Sequence, residues 1–127
     1  MKKSRFLAVT AASLMLTVAS AVTSLAATGW QAEGSNWRYY KADGSAAVNQ
    51  WVKSGDYWYW IGSNGIMGTN MWINNQEKWY YVGEDGASVK KWKQISGKWY
   101  FFYDDFTMAS NTTIDSYRLN KDGAMIE

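Results

Sequence analysis

The sequence predicts an all-β fold: a β-solenoid of stacked β-hairpins built from repeats of about 20 residues, preceded by an N-terminal signal helix. Three observations predict it. Tryptophan recurs at Trp30, Trp51, Trp72 and Trp92 with spacings of 21, 21 and 20 residues, and Trp37, Trp58, Trp79 and Trp99 keep the same spacings in phase. Asp43-Gly44, Asn64-Gly65 and Asp85-Gly86 follow the second series, and Asn or Asp before Gly supplies the positive φ that a tight reversal needs. No proline interrupts the strands.

Residues 1–27 read as a signal peptide. Lys2, Lys3 and Arg5 form a basic start, an uncharged apolar stretch follows, and Ser24-Leu25-Ala26 supplies a small-x-small cleavage pattern. Thr10, Ser13, Thr17 and Ser20 dilute the apolar stretch too much for a retained membrane anchor. Residues 28–127 then form the repeat domain, with units at about 29–50, 51–71, 72–91, 92–112 and a degenerate 113–127. Each unit pairs a strand at the first Trp with a strand of aromatics, across a turn rich in Gly, Asn, Ser and Asp. The fourth unit has Asp105-Phe106 in place of Asp-Gly, and the fifth retains only Tyr117 and Asp122-Gly123. An isolated hairpin is marginal in water, so each unit must bury an aromatic face on its neighbour.

Composition excludes several functions. Residues 28–127 hold ten basic and eleven acidic side chains without a basic block, so neither nucleic acid nor, in the mature form, a membrane is expected as partner. The chain has no histidine, which removes His-based nucleophile systems and zinc sites. It has no cysteine, hence neither disulfides nor a lipoprotein anchor, and attachment to a surface would be non-covalent. Glu84-Asp85 and Asp104-Asp105 are adjacent turn residues rather than carboxylates facing across a cleft, so no enzyme is expected. No metal and no cofactor is expected either.

The pattern Gly-Trp, polar turn, Trp-Tyr-Tyr, then Asp/Asn-Gly-x-Met resembles the cell-wall-binding repeats of choline-binding proteins of Gram-positive bacteria, and more distantly the repeats of glucan-binding glucosyltransferases and clostridial toxins. It covers residues 29–125. The resemblance implies ligand cages between consecutive hairpins, each with two aromatics from one hairpin and one from the next. Carried over, it implies a first cage of Trp30, Trp37 and Trp60. A second would hold Trp51, Trp58 and Tyr81 with Met67 alongside, and a third Trp72, Trp79 and Phe101. Ala46 and Ser88 occupy the position that Met67 fills, and Arg38 stands where the motif has its middle Tyr. Tyr59, Tyr80 and Tyr100 are read as packing residues, and the fifth unit as a cap.

A quaternary ammonium donates no hydrogen bond and is best held by aromatic faces, each contact contributing about 0.5–2 kcal/mol. Such a site is of roughly millimolar affinity, and several acting on a repeating polymer bind well together. The expected function is therefore a secreted, non-catalytic module, non-covalently attached to the cell wall through choline-decorated teichoic acid or a similar polymer. Two alternatives remain: a glucan or other carbohydrate binder using Asn49, Asn70, Asn74, Asn75 and Gln76, and a structural or adhesive surface protein without small-ligand sites. In the family such repeats accompany a catalytic or effector domain, so a separate partner or a longer parent chain would supply that activity.

Overall fold

The computed structural model describes residues 27–126, and the expected signal helix lies outside them. Within this range there is no helix, and so none that could cross a membrane. Four hairpins follow one another: β1 (Gly29–Glu33) with β2 (Asn36–Tyr40), β3 (Gln50–Ser54) with β4 (Tyr57–Ile61), β5 (Met71–Asn75) with β6 (Lys78–Val82), and β7 (Lys91–Ile95) with β8 (Lys98–Phe102). The fifth unit is a shorter sheet in which β10 (Tyr117–Leu119) lies between β9 (Thr112–Ile114) and β11 (Met125–Ile126).

Two-residue turns close every hairpin, and their residues decide the turn type. Gly34 and Gly55 stand first in their turns at φ 64° and 63°, with the following residue outside the left-handed region, as a type II′ turn requires. Gln76 and Glu77 both sit at positive φ, 53° and 65°, the type I′ pattern, although neither is Gly or Asn. Replacing Gln76-Glu77 by Asn-Gly is therefore expected to stabilise the chain by about 1 kcal/mol, read as a rise in Tm by circular dichroism.

Register assigns the faces. Trp51 pairs with Trp60, Lys53 with Trp58 and Val52 with Tyr59, so the tryptophans of one hairpin share a face while Val52, Tyr59 and Ile61 share the other. The same division gives Ile73, Tyr80 and Val82 in the third hairpin, and Ile95, Tyr100 and Phe102 in the fourth. Val82, Ile61 and Phe102 are fully buried on this backward face, which packs against the tryptophan face of the preceding unit. Trp51 meets Tyr80 at 5.0 Å between ring centroids, and Trp72 meets Tyr100 at 4.8 Å, both edge-to-face.

The connectors add a second tie between units. Asp43, Asn64, Asp85 and Asp105 each accept, through Oδ1, the backbone N–H two residues on. The reversal then continues back over the preceding hairpin. Met67 N–H donates to the Trp37 carbonyl at 2.8 Å, Ser88 N–H to Trp58 at 2.9 Å, and Met108 N–H to Trp79 at 2.8 Å. Each of these three connectors thus delivers one side chain to the junction behind it.

Candidate functional site

The second and third junctions are built from four sources: two tryptophans of one hairpin, the backward-facing tyrosine of the next, the connector side chain at the Met67 position, and the connector one unit further on; the fourth is lined by the first three alone. At the second junction Trp51, Trp58, Tyr80 and Ser88 line a cavity of about 370 Å³ with Asp104, Asp105 and Phe106. At the third, Trp72, Trp79, Tyr100 and Met108 line about 350 Å³ with Lys121 and Asp122. At the fourth, Trp92, Trp99, Tyr117 and Met125 line about 310 Å³. These volumes suit a small ligand. Trp58, Trp79 and Trp99 are 36%, 43% and 39% exposed, so each offers an open ring face.

The first junction has the same plan and is packed shut. Trp30, Trp37, Tyr59 and Met67 are 4%, 7%, 2% and 5% exposed and belong to one buried cluster with Val52, Ile61 and Ala87. Tyr57 packs against that cluster, whereas the later hairpins place Lys78 and Lys98 at its position. The aromatic ring there adds apolar cover that a solvated lysine does not. Tyr57→Lys is expected to open this junction, raising Trp37 exposure and adding a red shift to the tryptophan emission maximum.

Four expectations need correction. Trp60, Tyr81 and Phe101 do not close the preceding junctions; they lie across from Trp51, Trp72 and Trp92 of their own hairpins, at 5.2, 5.1 and 5.2 Å. Alternation explains this, because a residue sharing a face with Trp51 cannot also face backward. The third aromatic of each junction is Tyr59, Tyr80, Tyr100 or Tyr117, so residues expected only to pack also form walls. Met67 sits with Trp30 and Trp37 rather than with Trp51 and Trp58, because its connector folds back one unit. The fifth unit is more than a cap: Tyr117 and Met125 wall the fourth junction, and Asp115 Oδ2 accepts the Trp92 indole N–H at 2.9 Å.

The junctions differ in how they are filled. A Cβ on Gly86 would come within 2.7 Å of Met67, and one on Gly123 within 2.4 Å of Met108. At the second junction the corresponding pair is Ser88 and Phe106, so a small connector residue faces a large one. Phe106 adopts φ 75°, close to the 83° of Gly86 and 88° of Gly123, a conformation costly for a bulky residue.

Charge is placed beside the aromatic walls. The Thr107 hydroxyl at 2.6 Å and its backbone N–H at 3.0 Å hold the Asp105 carboxyl below the usual carboxylate range. Burial, then the nearby Asp105 carboxylate, pushes the Tyr80 phenol up. At neutral pH the second junction therefore presents a neutral phenol and an ionised carboxylate, both favourable to a cation.

A choline-binding family model, described as a cell wall binding repeat, matches residues 28–46, 49–67, 70–88 and 90–105. Among solved structures, the chain is similar to CbpJ from Streptococcus pneumoniae TIGR4, at 35% identity and a TM-score of 0.69, covering 79% of this chain and 34% of that one. It is similar to choline binding protein F from Streptococcus pneumoniae, solved in the presence of a peptidoglycan analogue, at 33% identity and a TM-score of 0.69, covering 80% and 34%. It is also similar to a multimodular pneumococcal cell wall endolysin from phage Cp-1 complexed with choline, at 29% identity and a TM-score of 0.65, covering 80% and 31%. The chain thus spans about a third of the length of these structures. No curated protein matches it.

Proposed function

Because the chain belongs to the cell wall binding repeat family, we propose that it is a secreted, non-catalytic attachment module that holds choline groups of a wall polymer such as teichoic acid. The ligand sites are the second, third and fourth junctions, and the hairpins stack as a solenoid that sets them along one polymer. One observation carries the reading: three successive cavities each combine two tryptophans with a tyrosine of the next unit and expose one tryptophan face. A quaternary ammonium places its charge on methyl groups, which such walls attract without hydrogen bonds. Asp105 beside the second cavity adds Coulomb attraction that a neutral sugar would not use.

A single site of this kind is of roughly millimolar affinity, and three on one repeating polymer convert weak capture into stable attachment. The module remains on the wall non-covalently, and any catalytic or effector activity belongs to a partner or to further sequence. The test is a fluorescence titration with choline and, separately, with dextran. Choline should change tryptophan emission with millimolar half-saturation, and Trp58→Ala should remove about a third of the amplitude. A response to dextran without one to choline would replace this reading by the carbohydrate one.

A further inference from the structure

The connector residues that reach the four junctions are Met67, Ser88, Met108 and Met125, and the three sulfurs stand in different surroundings. Met67 is 5% exposed inside the closed first junction. Met108 and Met125 are half-buried and wall the open third and fourth cavities. The open second cavity has the Ser88 hydroxyl in this place. Met71, the remaining methionine among the described residues, is 41% exposed, lies over Gly68 and lines none of the three open cavities.

A thioether is a polarizable wall that suits an aromatic cage. It is also oxidised by hydroperoxides, and this chain has no cysteine to compete for them. Access differs among the sulfurs. Met67 is shut in by the first cluster and by Gly86, where a Cβ would stand 2.7 Å from its sulfur. Met108 is backed on one side by Gly123, where a Cβ would stand 2.4 Å from its sulfur, which leaves the cavity side for an added oxygen.

We propose that Met108 and Met125 are oxidation sites through which a hydroperoxide disables the third and fourth junctions and spares the second. A sulfur lone pair attacks one peroxide oxygen. The S–O bond forms as the O–O bond breaks, sulfur is oxidised by two electrons, and the departing hydroxide takes the proton from the transferred oxygen to leave as water. The sulfoxide oxygen is a strong hydrogen-bond acceptor that holds water beside the tryptophan faces. A quaternary ammonium donates no hydrogen bond with which to replace that water. The Ser88 hydroxyl is inert to the same oxidant, so capture of one polymer by three sites falls to capture by one. This inference rests on the reading of the junctions as ammonium sites and adds redox control to two of them.

The experiment treats the protein with graded hydrogen peroxide, at doses that leave tryptophan intact by mass. Peptide mass spectrometry then locates the added oxygen. Met71, Met108 and Met125 should each gain one oxygen while Met67 stays reduced. Nitrogen-15 NMR titration with choline, read at the indole N–H signals of Trp58, Trp79 and Trp99, follows the sites separately. Half-saturation at Trp79 and Trp99 should rise about fivefold, the loss of one thioether–aromatic contact, and that at Trp58 should not move. Reduction by the two methionine sulfoxide reductases, one for each epimer, should restore both sites. In Met71→Leu the peroxide response should persist, and in Met108→Leu/Met125→Leu peroxide should no longer shift half-saturation at Trp79 or Trp99. Oxidation of Met67 as fast as Met108, sulfoxides that leave Trp79 and Trp99 titrating as before, or an equal loss at Trp58 would overturn the proposal. Absence of any choline shift in the untreated protein would overturn the ammonium reading itself, while the order of oxidation would stand or fall separately on the mass spectra.

Discussion

Phe102→Ala is expected to destabilise the chain by about 3–5 kcal/mol, the range for deleting a fully buried aromatic side chain. Phe102 has no exposed surface, packs its ring 5.9 Å from Trp72 and forms a bridge with Met108. It therefore ties the third hairpin to the fourth and supports two walls of the third junction. Domains of this size are stable by only about 5–15 kcal/mol, so the loss is a large fraction of the total. Stability in a repeat array is approximately a sum over units and their interfaces, so the damage should be local. Hydrogen exchange should show lost protection in β5–β8, with protection retained around Trp30, Trp37, Tyr59 and Met67. Uniform loss across all hairpins would mean that the units do not fold as neighbouring modules.

Ser88→Met and Phe106→Gly are each expected to destabilise, and together to restore most of the loss. Methionine at position 88 would meet Phe106 in a space filled elsewhere by a Met-Gly pair, and overpacking costs about 1–3 kcal/mol. Phe106→Gly relieves the left-handed backbone but removes a buried ring that is 8% exposed and the contact beneath Lys90. The double substitution recreates the Met67–Gly86 and Met108–Gly123 pairs, whose fit shows in the sub-3 Å approach a Cβ would make. Denaturant unfolding of the four proteins should give a favourable coupling of about 1–2 kcal/mol, within the range for residues in direct contact. Additive losses would show that Ser88 and Phe106 do not share this space.

The hairpins were legible because their signals are local. Aromatic strands and Gly and Asn turns act within about ten residues, the scale on which turn chemistry and strand alternation operate, and the in-phase tryptophans mark where each such unit repeats. The partners across the junctions were less legible, because they depend on parity and on the path of a connector. Trp58-Tyr59-Trp60 contains the needed information: if residues 58 and 60 face forward with Trp51, residue 59 must face backward. The connector residues that reach the junctions share a sequence signal too. Met67, Ser88, Met108 and Met125 each stand six residues after a buried strand residue, namely Ile61, Val82, Phe102 and Leu119. Tyr117 stands two before Leu119, as Tyr59 stands two before Ile61, and in the fifth hairpin Thr113 takes the place of the first tryptophan and the turn residue Ser116 that of the second. Closure of the first junction was not legible at all, because it depends on Tyr57 reaching a cluster assembled from three connectors and two hairpins.

The central claim is that the three open junctions, and not the closed first one, hold quaternary ammonium groups. A crystal structure of the protein grown with saturating choline tests it most directly. It should show the ammonium enclosed by Trp51, Trp58 and Tyr80, by Trp72, Trp79 and Tyr100, and by Trp92, Trp99 and Tyr117, with Trp30 and Trp37 still packed on Met67. Choline lodged between Trp30 and Trp37, or choline absent from the three open cavities, would contradict it.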